Sequence, residues 1–183
     1  GKYKPLLSFA TLGCPDWSLD KILKFAVQFG FDGIEFRGLN RQFDLTQCFE
    51  FNGKDNIMLS AKRIAEHKIK IVDLGCSAVM HFADAKKRKE NLDLAKKFIV
   101  LAQELNCPFV RVFPDQYLKE LEKEKSVTLI AEGLRELGDF AKDTGVKVLL
   151  STHGDVVHST DVENIMQMVG YQNVGVGWDI VNM

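Results

Sequence analysis

The sequence has no long apolar run, no excess of either charge and no paired cysteine motif, and each absence excludes a class of protein. No apolar run approaches the length that spans a bilayer, so we expect no membrane association. The chain has 24 Lys and Arg against 25 Asp and Glu, a balance that argues against a protein that binds nucleic acid. None of the four cysteines has C-x-x-C spacing, so we predict no zinc site or dithiol motif and expect reduced thiols in a cytoplasmic protein.

Signals for cleavage or for division into domains are missing as well. The basic N-terminus is followed by a short apolar stretch without a cleavage-site pattern, so we do not expect a signal peptide. No linker, low-complexity segment or break in composition divides the chain. Hydrophobic residues make up 46% of its 183 residues, which suits one sizeable core. We therefore predict a single domain over residues 1–183.

Six short β-like runs alternate with amphipathic helical stretches along the chain. The runs cover residues 6–10, 33–36, 69–74, 109–113, 146–150 and 174–178. The helices are predicted over residues 18–29, 60–67, 88–105 and 126–144 and from residue 160, with a long polar insertion from Gly38 to Asn56. Such alternation predicts a parallel sheet covered by helices.

Two architectures have this alternation: an open doubly wound sheet and a (β/α)8 TIM barrel. The sequence has no G-x-G-x-x-G motif and no P-loop, and polar residues instead follow nearly every strand, which favours the barrel. A barrel has eight units and typically about 250 residues, whereas six units are present here. We therefore expect the native protein to be longer by about two βα units, or this chain to associate, for example as a homodimer, and so cover its open strand edges.

Polar side chains follow the fifth and sixth predicted strands. Ser151, Thr152, His153 and Asp155 follow the fifth, and Asp179 follows the sixth. His153 could ligate a metal or move a proton, and Asp155 could orient it or bind a hydroxyl group. Asp179 offers a carboxylate, which is the ligand type preferred by Mg²⁺ and Mn²⁺. Adjacent strands lie about 5 Å apart, so the two clusters are expected to be neighbours. Ordinary polar strand ends are the alternative interpretation.

Charged residues also occur within predicted strands. Glu35 and Arg37 are two residues apart and therefore share one face of the second strand, and Arg111 lies between two valines in the fourth. Strands of parallel sheets are mostly apolar on both faces, so charged residues within them call for a structural or functional explanation. One explanation is a structural ion pair between Arg111 and Glu35. The other is binding of a phosphate or carboxylate by an arginine near the end of the barrel.

Several of these segments together resemble a known family, the xylose-isomerase-like TIM-barrel sugar-phosphate isomerases and epimerases, which are related to the fold of apurinic endonuclease family 2. The segments are residues 9–15, 30–37, 110–113 and 151–155 and the pair Trp178-Asp179. The resemblance implies a divalent metal at the C-terminal end of the barrel. Its usual ligands are a Glu after strand five, an Asp after strand six, a His from strand seven and a Glu from strand eight. In that family two glutamates move a proton between adjacent carbons of the sugar while the metal polarises the oxygens.

Transferred to this sequence, the resemblance implies a metal-dependent isomerase or epimerase of a small carbohydrate, with Mn²⁺, Mg²⁺ or Zn²⁺ as cofactor. Asp179 falls on the strand-six metal ligand, whereas Ser151 occupies the place of the strand-five glutamate. We predict that His153 and Ser151, the latter at the position of the family's glutamate, are the catalytic residues. We also predict that Glu35, Arg37, Arg111 and Asp155 bind the substrate.

Two other functions remain open. Ser151 favours a non-catalytic or repurposed barrel that binds a carbohydrate without converting it, because a hydroxyl is a poor metal ligand and a poor base. The apurinic-site endonuclease branch of the fold is disfavoured, because the chain has only four histidines and a nearly neutral charge.

Overall fold

The computed structural model describes residues 4–114, 123–152, 159–170 and 173–177. Six strands alternate with five helices in this part of the chain. The strands are β1 (Ser8–Ala10), β2 (Gly33–Phe36), β3 (Lys70–Val79), β4 (Phe109–Phe113), β5 (Lys147–Ser151) and β6 (Val174–Gly177). The helices are α1 (Leu19–Gln28), α2 (Lys54–Glu66), α3 (Ala85–Glu104), α4 (Lys123–Ala141) and α5 (Ser159–Val169).

The six strands form one parallel sheet in the order in which they follow along the chain. Each strand pairs with the next, from Ser8 opposite Gly33 to Ser151 opposite Gly177. A sheet whose order never reverses lacks the switch point of a doubly wound fold and instead forms the wall of a barrel. The predicted architecture is confirmed: the structure is a partial (β/α)8 barrel.

Alternate residues of each strand face different layers. Val110 and Val112 of β4 and Val148 and Leu150 of β5 are fully buried on the face covered by helices. Arg111 lies between those two valines and is half-buried on the opposite, inner face. The period of two in a strand therefore directs the charged residues of the sheet towards the barrel interior.

The helices bury one apolar side each, as α1 illustrates. Ser18 caps this helix, with its Oγ accepting a hydrogen bond from the backbone N–H of Lys21 at 3.3 Å. Leu19, Ile22, Leu23 and Ala26, spaced by three and four residues, are buried. The sequence pattern predicts this helix correctly, because both its cap and its apolar spacing are local features.

The segment between β2 and α2 differs from the polar insertion that the sequence suggests. It contains two 3-10 helices, Leu45–Gln47 and Phe49–Phe51, and α2 begins at Lys54 rather than near residue 60. Leu45, Cys48 and Phe51 are buried, and their spacing of three matches the 3-10 repeat. The segment is therefore anchored to the core. The spacing of its buried residues is hard to recognise in the sequence because polar residues lie between them.

All four cysteines are free thiols. Burial raises the pKa of Cys48, Cys76 and Cys107 to about 12 each, which makes these thiols poor nucleophiles. Among the described residues, no helix has the length and apolar character that crossing a membrane requires.

Candidate functional site

A charged cluster on the inner face of the sheet is formed by side chains of β2, β4 and β5. The Nη1 atom of Arg111 donates a hydrogen bond to Oε1 of Glu35 at 2.9 Å, and the two side chains are only 19% and 20% exposed. The Nη2 atom donates to the hydroxyl oxygen of Ser151 at 3.1 Å. Ser151 itself is buried. One guanidinium therefore joins three strands that are far apart in the sequence.

Asp73 of β3 adds a second acid to this cluster. It pairs with Glu35 across the sheet, is buried, and has an Oδ1 atom without a hydrogen-bond partner in the described part of the chain. Burial, and after it the negative charge of Glu35 and a hydrogen bond with Glu35, together raise the pKa of Asp73 to about 8 against the opposing effect of Arg111. At neutral pH Asp73 therefore holds a proton and can donate it in a hydrogen bond with Glu35.

The raised pKa of Asp73 predicts a pH-dependent effect of Asp73→Asn on stability. Between about pH 4 and pH 8 the unfolded chain has lost this proton while the folded chain keeps it, so the free energy of unfolding falls as the pH rises. The amide of asparagine resembles the protonated carboxyl but does not titrate. The variant therefore lacks the fall in the free energy of unfolding that Asp73 causes as the pH rises. We expect Asp73→Asn to be close to neutral at about pH 4 and to stabilise by a few kcal/mol at about pH 8. Urea unfolding of the full-length protein at both pH values measures this difference.

The control is Asp139→Asn, which makes the same chemical change at an exposed position of α4. A gain for Asp73→Asn that is equal at both pH values would show that Asp73 does not retain a proton in the folded protein.

A second arginine lies at the end of β2. The backbone N–H of Arg37 donates to Oγ1 of Thr11 at 2.7 Å, and this buried hydroxyl donates to the carbonyl of Gly38 at 2.8 Å. The guanidinium carbon of Arg37 lies 4.5 Å from the centre of the Phe113 ring, within the range of a cation–π contact. Thr11 thus fixes the backbone of Arg37, and Phe113 supports its charged end.

Two strand glycines leave room for the two arginines. A Cβ atom at Gly75 would come within 3.0–3.2 Å of three carbons of the Arg37 side chain. A Cβ atom at Gly177 would lie 3.3 Å from Nε of Arg111. Both contacts are closer than side chains normally allow, so the absence of a side chain at these positions permits the observed arginine placement.

The described residues alone form no site for the divalent metal that the resemblance implies. No group of three or more His, Cys, Asp or Glu in the described ranges could hold an ion. At the strand-five position, the hydroxyl of Ser151 accepts a hydrogen bond from Arg111, so a cation already faces the place of the expected glutamate. Asp179, the predicted metal ligand, lies outside the described residues.

The structure brings together part of the predicted site. Arg111 is in direct contact with both Glu35 and Ser151, and Arg37 lies on the same face at the end of β2. Their roles in catalysis or substrate binding stay predictions. His153, Asp155 and Asp179 lie outside the described residues, so their predicted roles stay predictions too.

Asp73, Thr11 and Gly75 complete the cluster and were not predicted as site residues. Asp73 did carry a signal in the sequence, because it is a carboxylate within the apolar run from Ile69 to Leu74. Thr11 carried a weaker signal, as a polar residue directly after the first strand, whereas Gly75 carried none, since its contact depends on the register of neighbouring strands.

Comparison with solved structures supports the barrel assignment. The structure is similar to the IOLI protein, crystallised with a bound zinc atom, with a TM-score of 0.77, 23% identity and coverage of 94% of this chain and 62% of that one. It is similar to the probable 3-DHS dehydratase AsbF of Bacillus anthracis, with a TM-score of 0.74, 16% identity and coverage of 98% and 64%. D-psicose 3-epimerase with D-tagatose from Clostridium cellulolyticum H10 also has a TM-score of 0.74, with 16% identity and coverage of 96% and 63%.

The chain therefore spans slightly less than two thirds of the length of these three structures. At identities below 25% the likeness shows a shared fold and no shared activity. No curated protein matches the sequence. The family assignment comes from a different comparison: the family model described as xylose isomerase-like TIM barrel matches residues 23–183. Because that match covers most of the sequence, the chain belongs to the xylose isomerase-like TIM barrel family.

Proposed function

We propose that the complete protein is an isomerase or epimerase that moves a proton between adjacent carbons of a small carbohydrate. Family membership and the epimerase and dehydratase among the structural neighbours support an enzyme of this type. The observation that carries the proposal is the charged cluster of Glu35, Asp73 and Arg111 on the inner face of the sheet. An inner face that served only packing would be filled with branched apolar side chains.

The cluster suits a ligand rich in hydroxyl groups. Nε of Arg111 and Oδ1 of Asp73 are buried polar atoms without hydrogen-bond partners in the described part of the chain, and such atoms are costly unless something pairs with them. Arg111 supplies donors, whereas Glu35 and protonated Asp73 supply acceptors and one donor. A carbohydrate hydroxyl, which both donates and accepts, can pair with either type.

Proton transfer needs a group that gains and loses a proton near neutral pH. Asp73 has a pKa of about 8 and meets this requirement among the described residues, while the hydroxyl of Ser151 is held as an acceptor by Arg111. We assign Ser151 the role of orienting Arg111. His153, two residues further along the sequence, remains a proposed group for proton transfer beside Asp73. Asp179 remains a proposed ligand of a divalent metal. None of the residue roles proposed above depends on that metal.

The test is proton exchange during turnover by the full-length protein. The protein is incubated in D2O with a panel of ketoses and inososes, with and without added Mn²⁺, Mg²⁺ or Zn²⁺, and NMR follows deuterium entering the carbon next to the carbonyl. We expect deuterium incorporation together with a new isomer or epimer. A panel without any exchange, under all metal conditions, would contradict the proposed function.

The second candidate is a barrel that binds a carbohydrate without converting it. The hydrogen bond from Arg111 to Ser151 favours this function, because it places a cation and a neutral hydroxyl where the family's glutamate is expected. The metal content of the purified full-length protein distinguishes the candidates. A stoichiometric divalent metal supports the isomerase, whereas carbohydrate binding without metal and without exchange supports the binding protein.

A further inference from the structure

Arg37 differs from Arg111 in forming no ion pair with a carboxylate in the part of the chain that the structure describes. In the described ranges no carboxylate lies within ion-pairing distance of its guanidinium, whereas Arg111 is paired with Glu35. Of the five N–H groups of the Arg37 guanidinium, one donates to a protein atom there, in a long 3.5 Å bond from Nη1 to the carbonyl of Cys76. The remaining donors have no partner among the described residues.

The immediate surroundings of Arg37 carry a net positive charge at neutral pH. Two guanidinium groups, of Arg37 and Arg111, face the single negative charge of Glu35, because Asp73 holds its proton. Burial lowers the pKa of Arg37 most, and the positive charge of Arg111 lowers it too, against the opposing effects of Cys76 and Glu35; the net direction is that of a half-buried cation whose charge is only partly compensated. An anion at this place would relieve the imbalance.

The position of Arg37 is built into the fold. Thr11 holds its backbone, Gly75 makes room for its side-chain carbons, and the Phe113 ring lies beneath its charged end. An arginine whose backbone is hydrogen-bonded and whose guanidinium lies against an aromatic ring loses less conformational freedom when it binds, which favours a bidentate contact with a planar or tetrahedral oxyanion. The residues come from the ends of β2 and β4, which places this contact at the end of the barrel where ligands of such folds enter.

We propose that Arg37 binds the anionic group, a phosphate ester or a carboxylate, of the carbohydrate that this protein takes as substrate. That the ligand is a carbohydrate rests on the proposed function. That it carries an oxyanion is inferred from the surroundings of Arg37 alone. The uncharged hydroxyl groups of the same ligand would lie towards Arg111, Glu35 and Asp73.

The experiment compares matched ligands on the full-length protein by isothermal titration calorimetry. The ligands are inorganic phosphate, D-fructose, D-fructose 6-phosphate and D-gluconate. We expect either the phosphate ester or the sugar acid to bind more tightly than the neutral sugar, by roughly tenfold to a hundredfold, which is the range of a charge-assisted hydrogen bond. The relative affinities of the phosphate ester and D-gluconate decide between the two anions.

Variants locate the contact. Arg37→Gln removes the charge and should abolish the preference for the anionic ligand while leaving D-fructose affinity within about twofold. Gly75→Ala keeps the charge but displaces the Arg37 side chain, and it should weaken the anionic ligands alone. Lys24→Gln removes the same charge from an exposed position of α1 and is the control, with no expected change.

The outcomes separate this proposal from the proposed function. In one outcome the protein binds inorganic phosphate, Arg37→Gln abolishes that binding, and no sugar binds. This result supports the anion site and contradicts the carbohydrate function. In another outcome the protein binds or converts sugars without preferring the anionic ones, or Arg37→Gln weakens neutral and anionic ligands equally. Either result overturns the anion site but does not contradict the proposed function. Failure of every anion in the panel to bind also overturns it.

Discussion

Replacing Ser151 with Glu in the full-length protein is expected to raise isomerase or epimerase turnover by roughly 10²–10⁴-fold, the usual contribution of one acid–base group. Ser151 ends β5 with its side chain on the inner face, buried beside Arg111. A glutamate there would supply the carboxylate expected of the family at this position. The affinity for Mn²⁺ or Mg²⁺ should rise as well, because hard cations favour a carboxylate over a hydroxyl. Turnover of ketoses and inososes, together with equilibrium dialysis of the metal, measures both effects.

The control for this gain is Ser151→Gln, which has the length of glutamate without its charge. It should gain neither turnover nor metal affinity. Strong activity in the unaltered protein that Ser151→Glu leaves unchanged or removes would mean that the catalytic base lies elsewhere and that this branch uses different chemistry.

Arg111→Met is expected to destabilise the full-length protein by about 3 kcal/mol at neutral pH, because it leaves Glu35 mostly buried without its cation. Protonated Asp73 cannot replace the lost positive charge. Urea unfolding at neutral pH, read as a shift of the midpoint at constant slope, measures the change.

The double variant Arg111→Met with Glu35→Gln separates charge from packing. Removing both charges should recover most of the lost stability, because a buried pair costs most when only one partner remains. If the single and double variants were equally destabilised, the ion pair would contribute nothing and Arg111 would act only through its packing.

Much of the fold is predictable because its signals are local. The apolar runs that become β2 and β4 and the capped, amphipathic α1 need no knowledge of distant residues. Register and length depend on neighbouring strands, and β3 accordingly extends to Val79 beyond its predicted end. The buried residues of the segment between β2 and α2 were not predicted, because its four buried apolar side chains, Leu39, Leu45, Cys48 and Phe51, are separated by mostly polar residues.

The candidate site divides in the same way. Charges inside strands make Glu35 and Arg111 recognisable in the sequence, since apolar strands seldom carry them. Glu35 and Arg111 are 76 residues apart in the sequence, so their contact is not visible there. The contact of Arg111 with Ser151 on β5 follows only from the order of the strands. The role of the glycines beneath the arginines is invisible in the sequence, because a strand glycine can equally mark a bulge or a bend.

The hydroxyl of Thr11 has a consequence for the motions of the molecule. This one side chain connects the residues after β1, a strand of only three residues, to the backbone of Arg37 and Gly38. Local opening of that first segment would therefore release the backbone that carries Arg37. Occupation of Arg37 by an anion should in turn resist the opening, so that hydrogen exchange slows at amides around Thr11 that never touch the ligand.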